Sequence, residues 1–262
     1  MFFERLLPKA CVYKSFGIWY NISMNLSKWK YLEGEGTDAF RHLATEQTLL
    51  RQRTQALFLW TNSPTVVVGQ NQFAQEECDV ALCRTRGIRI CRRSTGGGAV
   101  YHDEGTLNLS WIAPNESSAT EQVFACIRRT LERLGIRGFC REGNDGYLSG
   151  RKILGEAHRQ SGGYTLSHCC ILVQTNLAVL EAVLTPSAEK LQRHGVQSVR
   201  ARVANVCEFQ PVTQPVFAEA LKEELLRSFD CEVQKEPSPE ETLLRELQAE
   251  EYIFQRPEGS VT

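Results

Sequence analysis

No stretch of the sequence approaches the ~20 consecutive apolar residues that a membrane-spanning helix needs. Neither sign of charge dominates: 30 Lys and Arg stand against 31 Asp and Glu, a formal net charge of -1. The first absence excludes a helical membrane span. The second removes any general reason to expect binding to nucleic acid or to a membrane surface. No repeat and no low-complexity tract is present, and among ten cysteines there is no CxxC pair. The cysteines are scattered and follow no secretory signal, so they read as reduced thiols rather than a disulfide framework. Cys169 and Cys170 are adjacent and on a strand would face opposite sides, a poor start for a structural zinc site. Two familiar phosphate-binding signatures are also missing: no GK[ST] closes a P-loop, and no GxGxxG occurs.

What is there suits a globular chain. Apolar residues make up 42% of 262, enough for one large or two small domains. The opening MFFERLLPKACVYKSFGIWYNIS carries Arg5, Lys9 and Lys14 against Glu4. It reads either as an organellar transit segment over residues 1–23 or as an upstream extension, with Met24 an alternative start. The extension is favoured: residues 1–27 are expected to pack little, residues 28–262 to form the domain, and the protein to be cytoplasmic.

KYLEGEG suggests a short strand, and TDAFRHLATEQTLLRQ a helix capped by Thr37 or Asp38. ALFLW and TVVVG flank TNSP and predict a strand pair. QEECDVALCRTRG predicts one helix ending at Gly87. IRICRRS and LNLSWIA predict strands, the second with Leu107 and Leu109 on one face and Asn108 and Ser110 on the other. TEQVFACIRRTLERLG predicts a helix with Val123, Phe124, Ile127, Leu131 and Leu134 as its apolar stripe. GNDGYLSGRKILGEAHRQSGGYTLSHCCILV reads as strands joined by tight hairpins. NLAVLEAVL, EKLQRHG, QPVFAEALKEELLRSF and PEETLLRELQAEEYIF predict further helices. Hairpins outnumber regular βαβ units, which favours an α+β fold with a mixed β-sheet flanked by helices.

The stretch CRRSTGGGAVYHDEG concentrates the chemistry. Three consecutive glycines exceed what a plain turn needs, and their N–H groups can point at an anion without Cβ crowding. Arg92 and Arg93 stand just before them with forks suited to phosphate or carboxylate. At most one of two adjacent strand residues is expected to face the core. A tight turn is the plainer reading, an anionic-ligand loop the sharper one.

This stretch resembles the signature loop of the lipoate–protein ligase A family, which runs roughly RRxSGGGAVYHDxGN. LFLWTNSPTVVVGQNQ, GNDGYLSGRKILGEAHR, SHCCILV and GVQSVRARVANV resemble four further family segments, in order, over about residues 30 to 250. The resemblance implies a fold similar to biotin ligases and class II aminoacyl-tRNA synthetases. The biotin-ligase GRGRxGR loop is absent, which disfavours biotin. It further implies activation of lipoate (or octanoate) with ATP to an acyl-AMP, and transfer to a lysine of lipoyl-domain acceptors. Those acceptors are E2 subunits of 2-oxoacid dehydrogenases and the glycine-cleavage H protein.

Carried over position by position, the resemblance places Gly96, Gly97, Gly98 and Ala99 against the adenylate and makes Arg93 the first choice for a phosphate contact, with Arg92 beside it. Val100 and Tyr101 would line the nucleotide or acyl pocket, and His102 would lie beside the loop. Lys152 would be the catalytic cation; its plainer reading is a solvated strand lysine. Asn144 and Asp145 would hold phosphate and Mg2+, with Asp145 the metal ligand, although NDG alone marks a turn. Gly155 and Ala157 would let the backbone pass near the nucleotide. His168 would orient the acyl group or be a half-buried strand histidine. Arg200 and Arg202 receive no role. Gln70 replaces a basic residue common in the family, and Cys169-Cys170 replace Gly-Thr. The sequence also lacks the family's C-terminal accessory domain, which suggests a separate accessory subunit. Two rival readings remain open: an ATP-independent lipoyl or octanoyl amidotransferase, with Cys140 as the nucleophile, and a non-catalytic binder of lipoyl-adenylate or of a carrier domain.

Overall fold

A computed structural model describes residues 28–185 and 202–255. The expected extension over 1–27, the helix expected at EKLQRHG and Arg200 lie outside the described residues.

An eight-stranded mixed sheet forms the centre. Its strands are β1 (Trp29–Glu33), β2 (Ala56–Trp60), β6 (Thr106–Pro114), β7 (Cys140–Glu142), β8 (Asp145–Leu148), β9 (Arg151–Ser161), β10 (Tyr164–Leu172) and β11 (Cys231–Lys235), in spatial order β11-β1-β2-β6-β10-β9-β8-β7. β1 pairs in parallel with β2 and β11, and the other pairings are antiparallel. A second sheet of β3 (Thr65–Val68), β4 (Arg89–Arg92) and β5 (Val100–His102) has the order β4-β3-β5.

One face of the large sheet carries Leu57, Leu59, Leu107, Leu109 and Trp111, packed against α4 (Ala119–Arg133) and α6 (Gln214–Ser228). Val123, Phe124, Ile127 and Leu131 of α4 are buried, as their spacing predicts. On the other face Phe58, Trp60, Ile112 and Leu166 pack with α1 (Ala39–Arg51) and α7 (Glu241–Gln248). The Asp38 carboxylate caps α1, accepting the Phe40 N–H at 3.0 Å. The small sheet packs with α2 (Ala74–Glu77), α3 (Val80–Thr85), α5 (Leu177–Val183) and α8 (Glu250–Phe254).

Several expectations are corrected. β2 and β3 do not pair; they belong to different sheets, and TNSP carries the chain between them. Both strands are buried throughout, so each needs neighbours on two sides, which a lone hairpin cannot supply. The expected helix after Gln75 is two helices, α2 and α3, separated at Cys78 and restarted by the Asp79 side chain, which accepts the Leu82 N–H. The last expected helix likewise breaks at the extended Ala249 into α7 and α8. β5 and β11 were not expected.

No helix among the described residues is long and apolar enough to cross a membrane.

Candidate active site

Strand register places a row of residues across the sheet face that looks at the glycine loop. Asp145 pairs with Gly155, Gly155 with Cys170, Cys170 with Asn108, and Asn108 with Trp60. Four strand spacings make this row about 19 Å long. It floors a cavity of about 330 Å³. From the loop side Arg93, Gly97, Gly98, Ala99, Val100 and His102 line this cavity. From the sheet side come Asn144, Asp145, Lys152, Gly155, Ala157 and His168. Arg92 and Gly96 do not line it, and Tyr101 lines a smaller neighbouring cavity of about 70 Å³. Cys140 lines neither: it is exposed on β7, the outermost strand.

The glycine loop owes its shape to Arg93. This guanidinium donates from Nη2 to the carbonyls of Gly96 and Gly98 at 2.6 and 2.8 Å, from Nη1 to that of Val67 at 3.0 Å, and from Nε to Thr95 Oγ1 at 3.0 Å. Turning those carbonyls inward turns the intervening amides outward. Among the described residues the N–H groups of Gly96, Gly97 and Gly98 donate to no protein acceptor, while the next amide, Ala99, is taken by the buried Glu77 carboxylate at 2.8 Å. Gly97 sits at φ +91, in the left-handed region that favours glycine. The result is a concavity of free amides suited to an anion.

Arg93 thus borders the cavity, but its Nε, Nη1 and Nη2 all donate within the loop and to Val67. Arg92 is fully buried and its donors are likewise taken. Its Nη1 serves the carbonyls of Gly69, Gln70 and Gln72, and its Nε and Nη2 those of Tyr252 and Ile253. Both adjacent arginines face inward, against expectation, because β4 ends at Arg92 and strand alternation stops there.

Lys152 Nζ pairs with Asp145 Oδ1 at 2.7 Å. Gly155 leaves room for it: a Cβ there would lie 3.1 Å from both Lys152 Cε and Nζ. The Lys152 carbonyl accepts the Ala204 N–H at 2.9 Å, and Val203 bridges Lys152 in parallel register. The segment after residue 201 is thus tied beside the lysine.

Toward the other end of the row a buried relay ties the sheet to the loop. Trp60 Nε1 donates to Ser110 Oγ at 2.8 Å, Ser110 Oγ donates to Glu46, and Glu46 accepts from His168 Nδ1 at 2.9 Å. His168 Nε2 then meets Thr95 Oγ1 at 2.8 Å. Glu46, Trp60 and Thr95 were missed by sequence reasoning, as were Glu77, Asn108 and Gly69. The available signal was the run of polar residues His42, Thr45 and Glu46 on the buried face of α1.

A second chain links His42 Nδ1 to Asn62 Oδ1 at 2.9 Å and Asn62 Nδ2 to His102 Nδ1 at 3.2 Å. Because the Asn62 amide nitrogen can only donate, the neutral His102 ring carries its proton on Nε2. Among the described residues, that donor and Asn108 Nδ2 are buried without a partner, and both residues line the cavity. Burial, helped by Arg93, His168 and His42, pushes the His102 pKa down to about 3. The unfolded chain, with an ordinary value of about 6.5, binds a proton below that pH while the folded protein does not. Stability should therefore fall as pH drops from about 6.5 toward 3. Relative to His102→Gln, the native protein should lose about 2 kcal/mol more between pH 7 and pH 5. Urea midpoints at the two pH values check this, and parallel shifts would refute it.

Burial raises the Cys170 thiol, with Lys152 and Arg93 partly opposing that shift. Both Cys170 and Cys169 border the cavity, and the buried Cys169 side chain also belongs to the core on the opposite face of the sheet. No group of three or more His, Cys, Asp or Glu among the described residues could cage a metal ion.

Residues 38–230 match the lipoyl protein ligase A/B catalytic domain. Over 193 residues the chain is 37% identical to lipoate-protein ligase A of Bdellovibrio bacteriovorus, covering 71% of this chain and 57% of that protein. A solved structure from the lipoylation system of Thermoplasma acidophilum, a bipartite lipoate protein ligase and its E2 lipoyl domain, superposes with a TM-score of 0.73. It is 29% identical and covers 90% of this chain and 98% of that one. A lipoate-protein ligase A bound with ATP gives a TM-score of 0.72 at 28% identity, covering 88% and 99%. The chain spans about three fifths of the length of the curated relatives it matches.

Proposed function

Because the chain belongs to the lipoyl protein ligase A/B catalytic domain family, we propose that it activates lipoate with ATP and transfers the lipoyl group to a lysine of a lipoyl-domain protein. One observation carries this reading: a concavity of free loop amides and a lysine ammonium line the same cavity. The similarity to a ligase bound with ATP supports the nucleotide, and similarity to a system containing an E2 lipoyl domain supports the acceptor class. E2 subunits and the glycine-cleavage H protein are the acceptors proposed.

In the first half-reaction the lipoate carboxylate attacks the α-phosphorus and pyrophosphate leaves. The loop amides and the Lys152 ammonium take up charge that grows on the phosphoryl oxygens. In the second, the acceptor lysine amine attacks the acyl carbonyl, and AMP leaves with the bonding pair. Lys152 can then stabilise the carbonyl oxygen. The Trp60–Ser110–Glu46–His168–Thr95 relay fixes loop and sheet relative to each other. Mg2+ commonly binds through one or two carboxylates plus phosphate oxygens, so Asp145, with Asn144 beside it, fits as a single protein ligand. Bound there the ion would neutralise phosphate charge. Cys140, placed away from both cavities, gives no support to the ATP-independent transferase reading.

The test incubates the protein with lipoate, Mg-ATP and a lipoyl domain, with and without a separately supplied accessory domain, as the bipartite relative suggests. Pyrophosphate release and a lipoyl mass increment on the acceptor are expected. Acceptor acylation from an octanoylated carrier without ATP, and none with lipoate and ATP, would overturn the reading.

A further inference from the structure

Of the cationic side chains at the lysine end of the cavity, two are already compensated. Arg93 is bonded to three carbonyls and a hydroxyl, and Lys152 is paired with Asp145. Arg202 differs. It lines both the main cavity and the smaller one beside it, and Lys152 lines both as well. Its place is fixed by its chain neighbours, because Val203 bridges Lys152 and Ala204 hydrogen-bonds the Lys152 carbonyl. Its Nε is buried with no hydrogen-bond partner, and among the described residues it forms no ion pair. A guanidinium cannot shed its proton in a protein, so a buried, unused N–H beside an open cavity calls for an acceptor, best an anion.

We infer that Arg202 is a catalytic residue that contacts the α-phosphate of the bound nucleotide, the role expected of Arg93. This rests on the proposed ligase reading. Phosphate is the anion of choice because it is present in ATP, in the acyl-adenylate and in AMP, whereas the lipoate carboxylate loses its charge on activation. With Lys152 offset by Asp145 and Arg93 turned into the loop, Arg202 supplies the uncompensated positive charge beside the free amides. In the first half-reaction it holds the phosphoryl group as the lipoate oxygen–phosphorus bond forms and the bond to pyrophosphate breaks. In the second it remains on the AMP that departs.

Calorimetric binding of AMP and of adenosine to the native protein, Arg202→Gln and Arg202→Lys tests this. The native protein should prefer AMP. Arg202→Gln should lose AMP affinity at least tenfold with adenosine affinity unchanged, and Arg202→Lys should keep part of the preference. Pyrophosphate exchange should fall in the same order. AMP affinity in Arg202→Gln within twofold of native would overturn the assignment. So would a parallel loss of adenosine affinity in both variants, which marks a packing role, or a native protein with no preference for AMP. Failure of acceptor lipoylation with the AMP preference intact and Arg202-dependent would sink only the proposed reaction.

Discussion

Lys152→Met should slow lipoyl-adenylate formation and acyl transfer by a hundredfold or more, while the protein stays folded. Removing one preorganised charge contact in a partly enclosed site typically costs that much. Methionine keeps the length and flexibility of the stem and fits the space that Gly155 leaves, so packing changes little. The backbone tie from Ala204 to residue 152 does not involve the side chain. The variant strips Asp145 of its partner at 2.7 Å, so Asp145→Asn, made alone and together with Lys152→Met, separates loss of the cation from exposure of an unpaired carboxylate and from loss of the proposed Mg2+ ligand. Single-turnover formation of lipoyl-AMP, followed by mass spectrometry, gives the rate, and circular dichroism reports the fold. A folded Lys152→Met protein that forms product at the native rate would end the ligase reading.

Gly69→Ala should abolish nucleotide binding through a collision some distance from the ligand. A Cβ on Gly69 would lie 2.8 Å from the Gly97 carbonyl carbon, closer still to its oxygen, and 3.3 Å from Arg93 Nη2. The obstacle is backbone, so it cannot swing aside. To make room the Gly97 peptide must shift, and with it the Gly96 and Gly98 carbonyls that Arg93 holds. AMP affinity should drop at least a hundredfold, and stability should fall by about 1–3 kcal/mol, as for other overpacked sites. Gly96→Ala is the control for stability: nothing in the protein lies within 4 Å of a Cβ there, and its denaturant midpoint should stay close to native. Equilibrium binding of AMP to Gly69→Ala and denaturant midpoints of the two variants settle the point; native affinity or equal midpoints would refute it.

Much of the architecture was legible because it rests on local signals. Periodicity placed α1, α4 and α6, and turn residues placed the β8–β9–β10 hairpins. The alternation in LNLSWIA put Leu107 and Leu109 in the core and Asn108 and Ser110 on the opposite face. What failed was non-local. ALFLW and TVVVG look like partners because they are close in sequence, yet β2 lies between residues 29–33 and 106–114. No local feature of an all-apolar strand names its neighbours. Membership of the site was readable to a similar depth. Three consecutive glycines mark a place where something anionic can meet the backbone, whereas Lys152 stood out only through the family resemblance. The division of labour among the arginines was not readable, because it depends on which carbonyls lie within reach. Arg93 and Arg92 reach backbone acceptors, whereas Arg202 Nε reaches none among the described residues. Glu46 was hidden for the same reason: its partners, Ser110 and His168, lie 64 and 122 residues away.

The five donations of Arg92 have a consequence for biosynthesis. The carbonyls of Gly69, Gln70 and Gln72 and those of Tyr252 and Ile253 converge on one cation. Until the ribosome has added residues 252 and 253, that cation has only its N-terminal acceptors. Gly69, against which Gly97 is wedged, therefore gains its full support only when residue 253 emerges from the exit tunnel. A nascent chain arrested before that point should carry most of its sheet yet hold nucleotide poorly.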